Sequence, residues 1–251
     1  MREQVENYKD EFLIGRKPVS EALERSQDIE KVWIEQSIRG EYEKEVRKAC
    51  RSQGIPLITA PESKLNNLVR RSNHQGIVAQ LSFVKYHKIA DVIPFIFEKG
   101  EIPRIILLDG VEDVRNIGAI ARSAHWFGFH AIIVPMKESA RLNAFAMKAS
   151  MGALPQMLIC REKSMISAIE TIQNSGIKVF AGMMSGKTFT EVDLSGPVAL
   201  VLGSEEKGVS KSVEKACDES IAIAGLPENM ESLNVSVAAG ILMSEVFKTG
   251  T

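Results

Sequence analysis

The sequence predicts an α/β protein in two parts, a small N-terminal α/β domain and a larger C-terminal one built on a mainly parallel sheet. Three observations predict it. Strand and helix patterns alternate along most of the chain, the signature of α/β architecture. After residue 100 the strand candidates are continuous apolar runs, as a sheet covered on both faces requires. The composition, 45% hydrophobic and 25% charged over 251 residues, supplies a core for one large or two smaller domains and argues against general disorder.

The elements follow in order. Gly15-Arg16-Lys17-Pro18 opens a helical pattern through Val19, Ala22 and Leu23. Lys31–Ile34 reads as a strand. Glu41–Ser52 is charged and helical in period, with Tyr42, Val46 and Ala49 at spacings of three and four. Gly54 stops that helix, and Gly54–Ile58 reads as a second strand. Lys64–Arg71 is a short helix and Gly76–Gln80 a third strand. A basic patch (Lys85, Tyr86, His87, Lys88), a short helix and Lys99-Gly100 before Pro103 suggest a linker. The expected division is therefore 1–83, a linker at 84–103, and 104–251. In the last part the strands are Ile105–Asp109, Ala131–Pro135, Ile177–Ala181, Val198–Leu202 and Ile221–Ile223, with helices at 116–127, 141–150, 163–174, 209–216 and 233–248. Ligands of such sheets sit at the carboxyl ends of the strands.

Several function classes are argued against. No run approaches the roughly 18 uncharged apolar residues of a membrane span, and Met1–Asp10 is polar, unlike a secretory signal. Cys50, Cys160 and Cys217 are odd in number and far apart, which points to a reducing compartment, the cytoplasm, without disulfide or metal site. The net charge of −1 divides into +3 over residues 1–88 and −4 over the rest, weak support for a polyanion partner. Gly182 to Thr188 resembles a phosphate-binding loop, but Ala181 stands where its first glycine belongs and no long helix follows. The turn after Asp109 lacks a dinucleotide fingerprint.

Three segments carry chemistry. In the first, Leu108–Ser123, a strand runs into a helix that Asn116 could cap. Gly118 lies in its first turn, where glycine signals close approach to the backbone, and Arg122 follows one turn on as an anion or ribose ligand. In the second, Val198–Val209, a buried strand ends in a glycine-bounded acidic turn, Gly203 to Gly208, with Glu205 at the sheet edge. In the third, Ile223–Gly240, a strand leads through a loop into a helix starting near Ser232. Ser232 and Asn234 suit a helix start, where their side chains bond backbone or ligand.

Together these segments resemble the SpoU/TrmH family of RNA ribose 2′-O-methyltransferases in the SPOUT superfamily. The family's Asn-x-Gly-x-x-x-Arg is Asn116, Gly118 and Arg122; its Gly-x-Glu-x-x-Gly is Gly203, Glu205 and Gly208; its Ser-Leu-Asn-Val-Ser-Val-Ala is Ser232–Ala238. The resemblance covers about residues 104–248. The first 80 or so residues look like the ribosomal-protein-like RNA-binding domain of the RlmB branch, which methylates a guanosine of 23S ribosomal RNA. Two departures stand out: Asp113-Val114-Arg115 replaces a frequent Asp-Pro, and the loop before Ser232 is one residue longer.

The resemblance implies a deep trefoil knot, S-adenosylmethionine (SAM) as methyl donor and a homodimer with each site near the subunit interface. Leu226, Met230, Val246 and Phe247 are candidates for that interface. It places Asn116, Arg122, Glu205, Ser232 and Asn234 at the catalytic site. It places the cofactor against Leu202, Gly203, Gly208, Ile223, Leu226, Ser232 and Leu233. Arg16, Lys17, Arg70, Arg71, His74, Arg115 and Arg141 are candidate RNA contacts. A transfer RNA substrate, or an RNA-binding protein that keeps the fold without turnover, are the alternatives.

Overall fold

The computed structural model describes residues 12–136, 142–225 and 232–250. The chain divides into two compact units between Phe83 and Val84, each with its own sheet.

The first unit holds β1 (Phe12–Ile14), β2 (Ile29–Glu35), β3 (Leu57–Ala60) and β4 (Ile77–Leu81), in the order β1-β4-β2-β3. β4 runs antiparallel to β1 and β2, and β3 runs parallel to β2. Side-chain alternation along the strands buries both faces. Val32, Ile77 and Ala79 meet α1 (Arg16–Glu24) and α2 (Glu41–Gln53); Trp33 and Val78 meet α3 (Glu62–Leu68). Gly54 closes α2 with a φ of 67°, so the strand expected from residue 54 begins only at Leu57. The helix expected through Arg71 stops at Leu68, because Arg70 and Arg71 adopt φ values of 49° and 61°, outside any right-handed helix.

The second unit is an eight-stranded sheet in which every neighbouring pair is parallel, ordered β10-β12-β9-β11-β6-β7-β8-β5. In chain order its strands are β5 (Tyr86–His87), β6 (Arg104–Asp109), β7 (Ala131–Pro135), β8 (Leu158–Glu162), β9 (Lys178–Met183), β10 (Lys187–Thr188), β11 (Val198–Gly203) and β12 (Glu219–Ala222). Its helices are α4 (Ile89–Glu98), α5 (Val114–Trp126), α6 (Ala144–Ala149), α7 (Met165–Asn174), α8 (Lys211–Glu214) and α9 (Val235–Thr249). Ile106, Leu108, Ile132 and Leu200 face α5, α6 and α9; Ile105, Leu107, Ile133 and Val201 face α4, α7 and α8. This two-sided burial is why the strands read as unbroken apolar runs.

The expected linker is corrected here. Tyr86 and His87 pair with Ile159 and Cys160 of β8, and Ile89, Val92, Ile93 and Ile96 of α4 are buried in the second core. Glu162 Oε1 accepts from Ile89 N at 2.9 Å, and Arg161 stacks 3.3 Å from the Tyr86 ring centre. Lys187 and Thr188, where a phosphate-binding loop would enter a helix, instead form β10 beside β12. No helix among the described residues is long and apolar enough to cross a membrane.

Candidate active site

Parallel strands put their carboxyl ends on one edge, here Asp109 of β6, Met183 of β9, Gly203 of β11 and Ala222 of β12. The loops leaving β6, β11 and β12 are the three segments singled out above.

The first leads into α5. Asp113, not Asn116, caps that helix: its carboxylate accepts from Arg115 N at 2.8 Å. The Arg115 guanidinium folds back onto the same carboxylate, with Nη2 2.6 Å from Oδ2, and holds the Asp113 carboxyl below the usual range. Arg115 is thus already engaged, which weakens its place in an RNA track. Because Asp113 caps, Asn116 falls inside the first turn, 9% exposed, with its amide free for tertiary bonds. Gly118 does signal close approach, but by protein: an added Cβ would lie 2.5 Å from the Ala149 Cβ and 2.9 Å from the Ala146 carbonyl oxygen of α6.

In the second segment Gly203 has no room for a side chain. Its Cβ would overlap the Gly208 carbonyl carbon at 1.9 Å. The turn closes through Gly208 N donating to Ser204 O at 2.8 Å and Lys207 N donating to Ser204 Oγ at 3.1 Å, with Gly208 at a φ of 64°. Asp109 Oδ2 accepts from Ser210 N at 2.8 Å and ties this loop to the end of β6. Glu205 projects from the turn.

In the third segment Asn234, not Ser232, caps α9. Its Oδ1 accepts from Ser236 N at 2.9 Å, Val237 N at 3.4 Å and Ser236 Oγ at 2.5 Å. Its Nδ2 is left to donate to Asn116 Oδ1 at 3.1 Å and to Glu205 Oε1. Asn116 Nδ2 also donates to Glu205 Oε1, at 3.0 Å. Asn116, Glu205 and Asn234, drawn from three segments up to 118 residues apart, therefore form one closed network. Glu205 Oε2 has no hydrogen-bond partner among the described residues, although the Arg115 charge acts on the carboxylate electrostatically.

The other expected positions divide. Arg122 is exposed on α5 and pairs with no described residue, so it is not part of the network. Leu202 is buried in the core, which leaves only its backbone for a ligand. Ile223 is half-buried against the same core. Ser232 and Leu233 are exposed just ahead of the α9 cap. Leu226 and Arg141 lie outside the described residues. In the first unit Arg16, Lys17, Arg70 and Arg71 are exposed, but His74 is buried, because its Nδ1 accepts from Gly76 N at 3.0 Å inside the turn before β4. Asp109, Asp113 and Ser236 were not anticipated as organising residues. Asp113 carried a signal, a capping residue just before the helix; Asp109 and Ser236 carried none. Among the described residues no cluster of His, Cys, Asp or Glu could hold a metal ion.

A wholly parallel sheet whose carboxyl edge carries this asparagine–glutamate network defines an α/β protein with a built polar site at its ligand-binding edge. The particular family follows from comparison. The profile of the SpoU rRNA Methylase family matches residues 103–244, and that for RNA 2′-O ribose methyltransferase substrate binding matches residues 12–87. YacO of Bacillus subtilis, named as a member of the TrmH family of tRNA/rRNA methyltransferases, is 34% identical over 240 residues, covering 95% of each chain. The structure of an AdoMet-bound rRNA methyltransferase from Sinorhizobium meliloti superposes with a TM-score of 0.60 at 23% identity, covering 95% of this chain and 87% of that one. The A. aeolicus TrmH/SpoU tRNA modifying enzyme superposes with a TM-score of 0.53 at 26% identity, over 64% of this chain and 83% of that one. The chain belongs to the SpoU rRNA methylase family and is an RNA methyltransferase of the SAM-dependent kind.

Proposed function

We propose that the second unit transfers a methyl group from SAM to the ribose 2′-hydroxyl of a guanosine in 23S ribosomal RNA. The Asn116–Glu205–Asn234 network carries the reading. It places a carboxylate with one oxygen fixed and one oxygen open at the edge where ligands of parallel sheets bind. The described residues fit the cofactor: the Gly203–Gly208 turn offers backbone groups with no side chain at Gly203, Gly225 has open space around it, and half-buried Ile223 and exposed Leu233 offer apolar contact. SAM supplies an electrophilic methyl on sulfur.

The chain's own residues must position and activate a weak nucleophile. Asn116 and Asn234 clamp Glu205 Oε1, so Oε2 is held in one direction to accept the hydroxyl proton. Arg122, exposed and with no described partner, is suited to hold the adjacent phosphate and polarise the hydroxyl. A free arginine base is disfavoured, since losing its proton near pH 7 costs on the order of 7 kcal/mol. Ser232, exposed just ahead of the α9 cap, offers a hydroxyl for hydrogen bonding to substrate or cofactor. The pH–rate profiles of Arg122→Lys and Glu205→Gln test these roles; an unchanged profile in Glu205→Gln removes Glu205 as the proton acceptor.

A homodimer completes the proposal. Helices α5, α6 and α9 share one face of the sheet and expose Trp126 (80% accessible), Phe145 and Phe247, a surface a second copy would cover. Val246 is fully buried in the core and leaves the candidate interface; Leu226 and Met230 lie outside the described residues. The trefoil knot of the family belongs to this reading, as does a cytoplasmic site of action on ribosomal RNA. A transfer RNA is the alternative substrate.

A further inference from the structure

We propose that the first unit carries a nucleotide pocket that takes one unstacked guanine nucleotide of the RNA, separate from the nucleotide that is methylated. The proposal rests on the RNA-methyltransferase reading above. A cleft of about 570 Å³ opens at the turn before β4, lined among others by Arg16, Glu35, Arg71 and His74. Its lining is built rather than incidental. His74 is 94% buried, being 6% exposed. Its Nδ1 accepts from Gly76 N, so its proton sits on Nε2, which has no acceptor among the described residues. Gly76 is required for this turn: its φ is 78°, and a Cβ there would meet Ile38 Cδ1 at 2.6 Å.

Arg16 is preorganised. Its Nε donates to Gln75 O at 3.4 Å, its backbone N donates to Gln75 Oε1 at 3.1 Å, and its guanidinium lies 4.9 Å from the Tyr42 ring centre. These contacts leave its two terminal amines for an anion, and Arg71 adds a second cation at the cleft. A track for phosphates alone would not include a carboxylate. Glu35 is an acceptor only, and one of its oxygens is engaged by Ser37 Oγ at 2.5 Å. The ligand must therefore bring an anion together with hydrogen-bond donors. Among unpaired bases read on their Watson–Crick edge, guanine alone offers an adjacent ring N–H and amine to a carboxylate, and its O6 can accept from His74 Nε2. Arg16 and Arg71 then hold the phosphate.

The full-length protein is titrated with 5′-GMP, IMP, AMP and UMP, with the histidine imidazole resonances followed by NMR. GMP should shift the His74 signals and bind at least tenfold tighter than UMP or AMP, with IMP, which lacks the amine, intermediate. Glu35→Gln should bring the four to within about threefold, while Arg71→Met should weaken all four alike. Equal binding of the four, or an unmoved His74, overturns the proposal without needing any variant to fold. A stem–loop RNA with one unpaired guanosine should displace GMP at lower concentration than its uridine counterpart; free GMP binding the more tightly would make this a free-nucleotide site and overturn the RNA reading. Methyl transfer from SAM to unmethylated 23S ribosomal RNA is measured with the same protein preparations. Transfer without guanine preference defeats this inference alone, and guanine preference without transfer defeats the catalytic reading alone.

Discussion

Replacing Asn234 separates two jobs that one side chain performs. Its Oδ1 caps α9, and its Nδ2 links Asn116 to Glu205. Asn234→Ser keeps a capping oxygen and loses the amide; Asn234→Ala loses both. The cap contributes about 1 kcal/mol. Removing the amide leaves the Oδ1 of buried Asn116 unpaired, at about 1–3 kcal/mol. The expected destabilisation is about 1–3 kcal/mol for Asn234→Ser and about 2–4 kcal/mol for Asn234→Ala. For a unit of roughly 170 residues each kcal/mol lowers Tm by about 2–4 °C, so Ala should melt roughly 4–16 °C below wild type and a few degrees below Ser. Methyl transfer should fall together in both, by up to about 100-fold, because both remove one of the two amides that hold Glu205 and leave only Asn116 on it. Calorimetry with single-turnover methylation reads both quantities. If Ser and Ala melt with wild type, the network carries no stability, and if Ser retains full activity the clamp has no role.

Gly118→Ala should destabilise by about 1–3 kcal/mol in thermal melts although alanine favours helix, because the new methyl meets Ala149 and the Ala146 carbonyl; adding Ala149→Gly should restore only a part, since the clash with the Ala146 carbonyl remains. His130 is held below its usual 6.5 first by burial, against the opposing pull of Glu101. A depressed folded-state pKa contributes stability above the unfolded value that is lost as pH falls through the folded one, so Tm should drop on going from pH 7 towards 5, and less steeply in His130→Gln. Burial pushes the thiols of Cys50 up to about 11 and of Cys160 and Cys217 up to about 12. Native protein at pH 8 should therefore react with a thiol reagent far more slowly than unfolded protein, which exposes all three. Arg122→Lys should lower kcat/KM on RNA while leaving SAM affinity within about twofold, measured by calorimetric titration.

Much of the second sheet was legible because strands buried on two faces cannot hide their character: Ile105–Leu108 and Val198–Leu202 are apolar at every position. The failures have local causes. β8 was missed because its apolar run is short and ends in Arg161, a residue buried with its guanidinium stacked on Tyr86, 75 positions earlier. α4 was folded into a linker because its helical pattern carries Pro94, sits beside a basic patch and ends in Lys99-Gly100. At the site, the residue types were legible and their partners were not. Asn116 and Asp113 are both good caps, and only the observed helix start decides between them. Gly118 announced a missing Cβ, but the sequence does not say whether ligand or helix fills the space. The bonds joining Asn116, Glu205 and Asn234 span separations of 29 to 118 residues, beyond any local pattern.

The most direct test of the central claim is transfer of labelled methyl from SAM to unmethylated 23S ribosomal RNA by the purified protein, with the product mapped by alkaline-resistance sequencing. The account predicts one alkali-resistant linkage at a guanosine, and its loss in Glu205→Gln. Label on a base rather than a ribose, or undiminished transfer in Glu205→Gln, would contradict it.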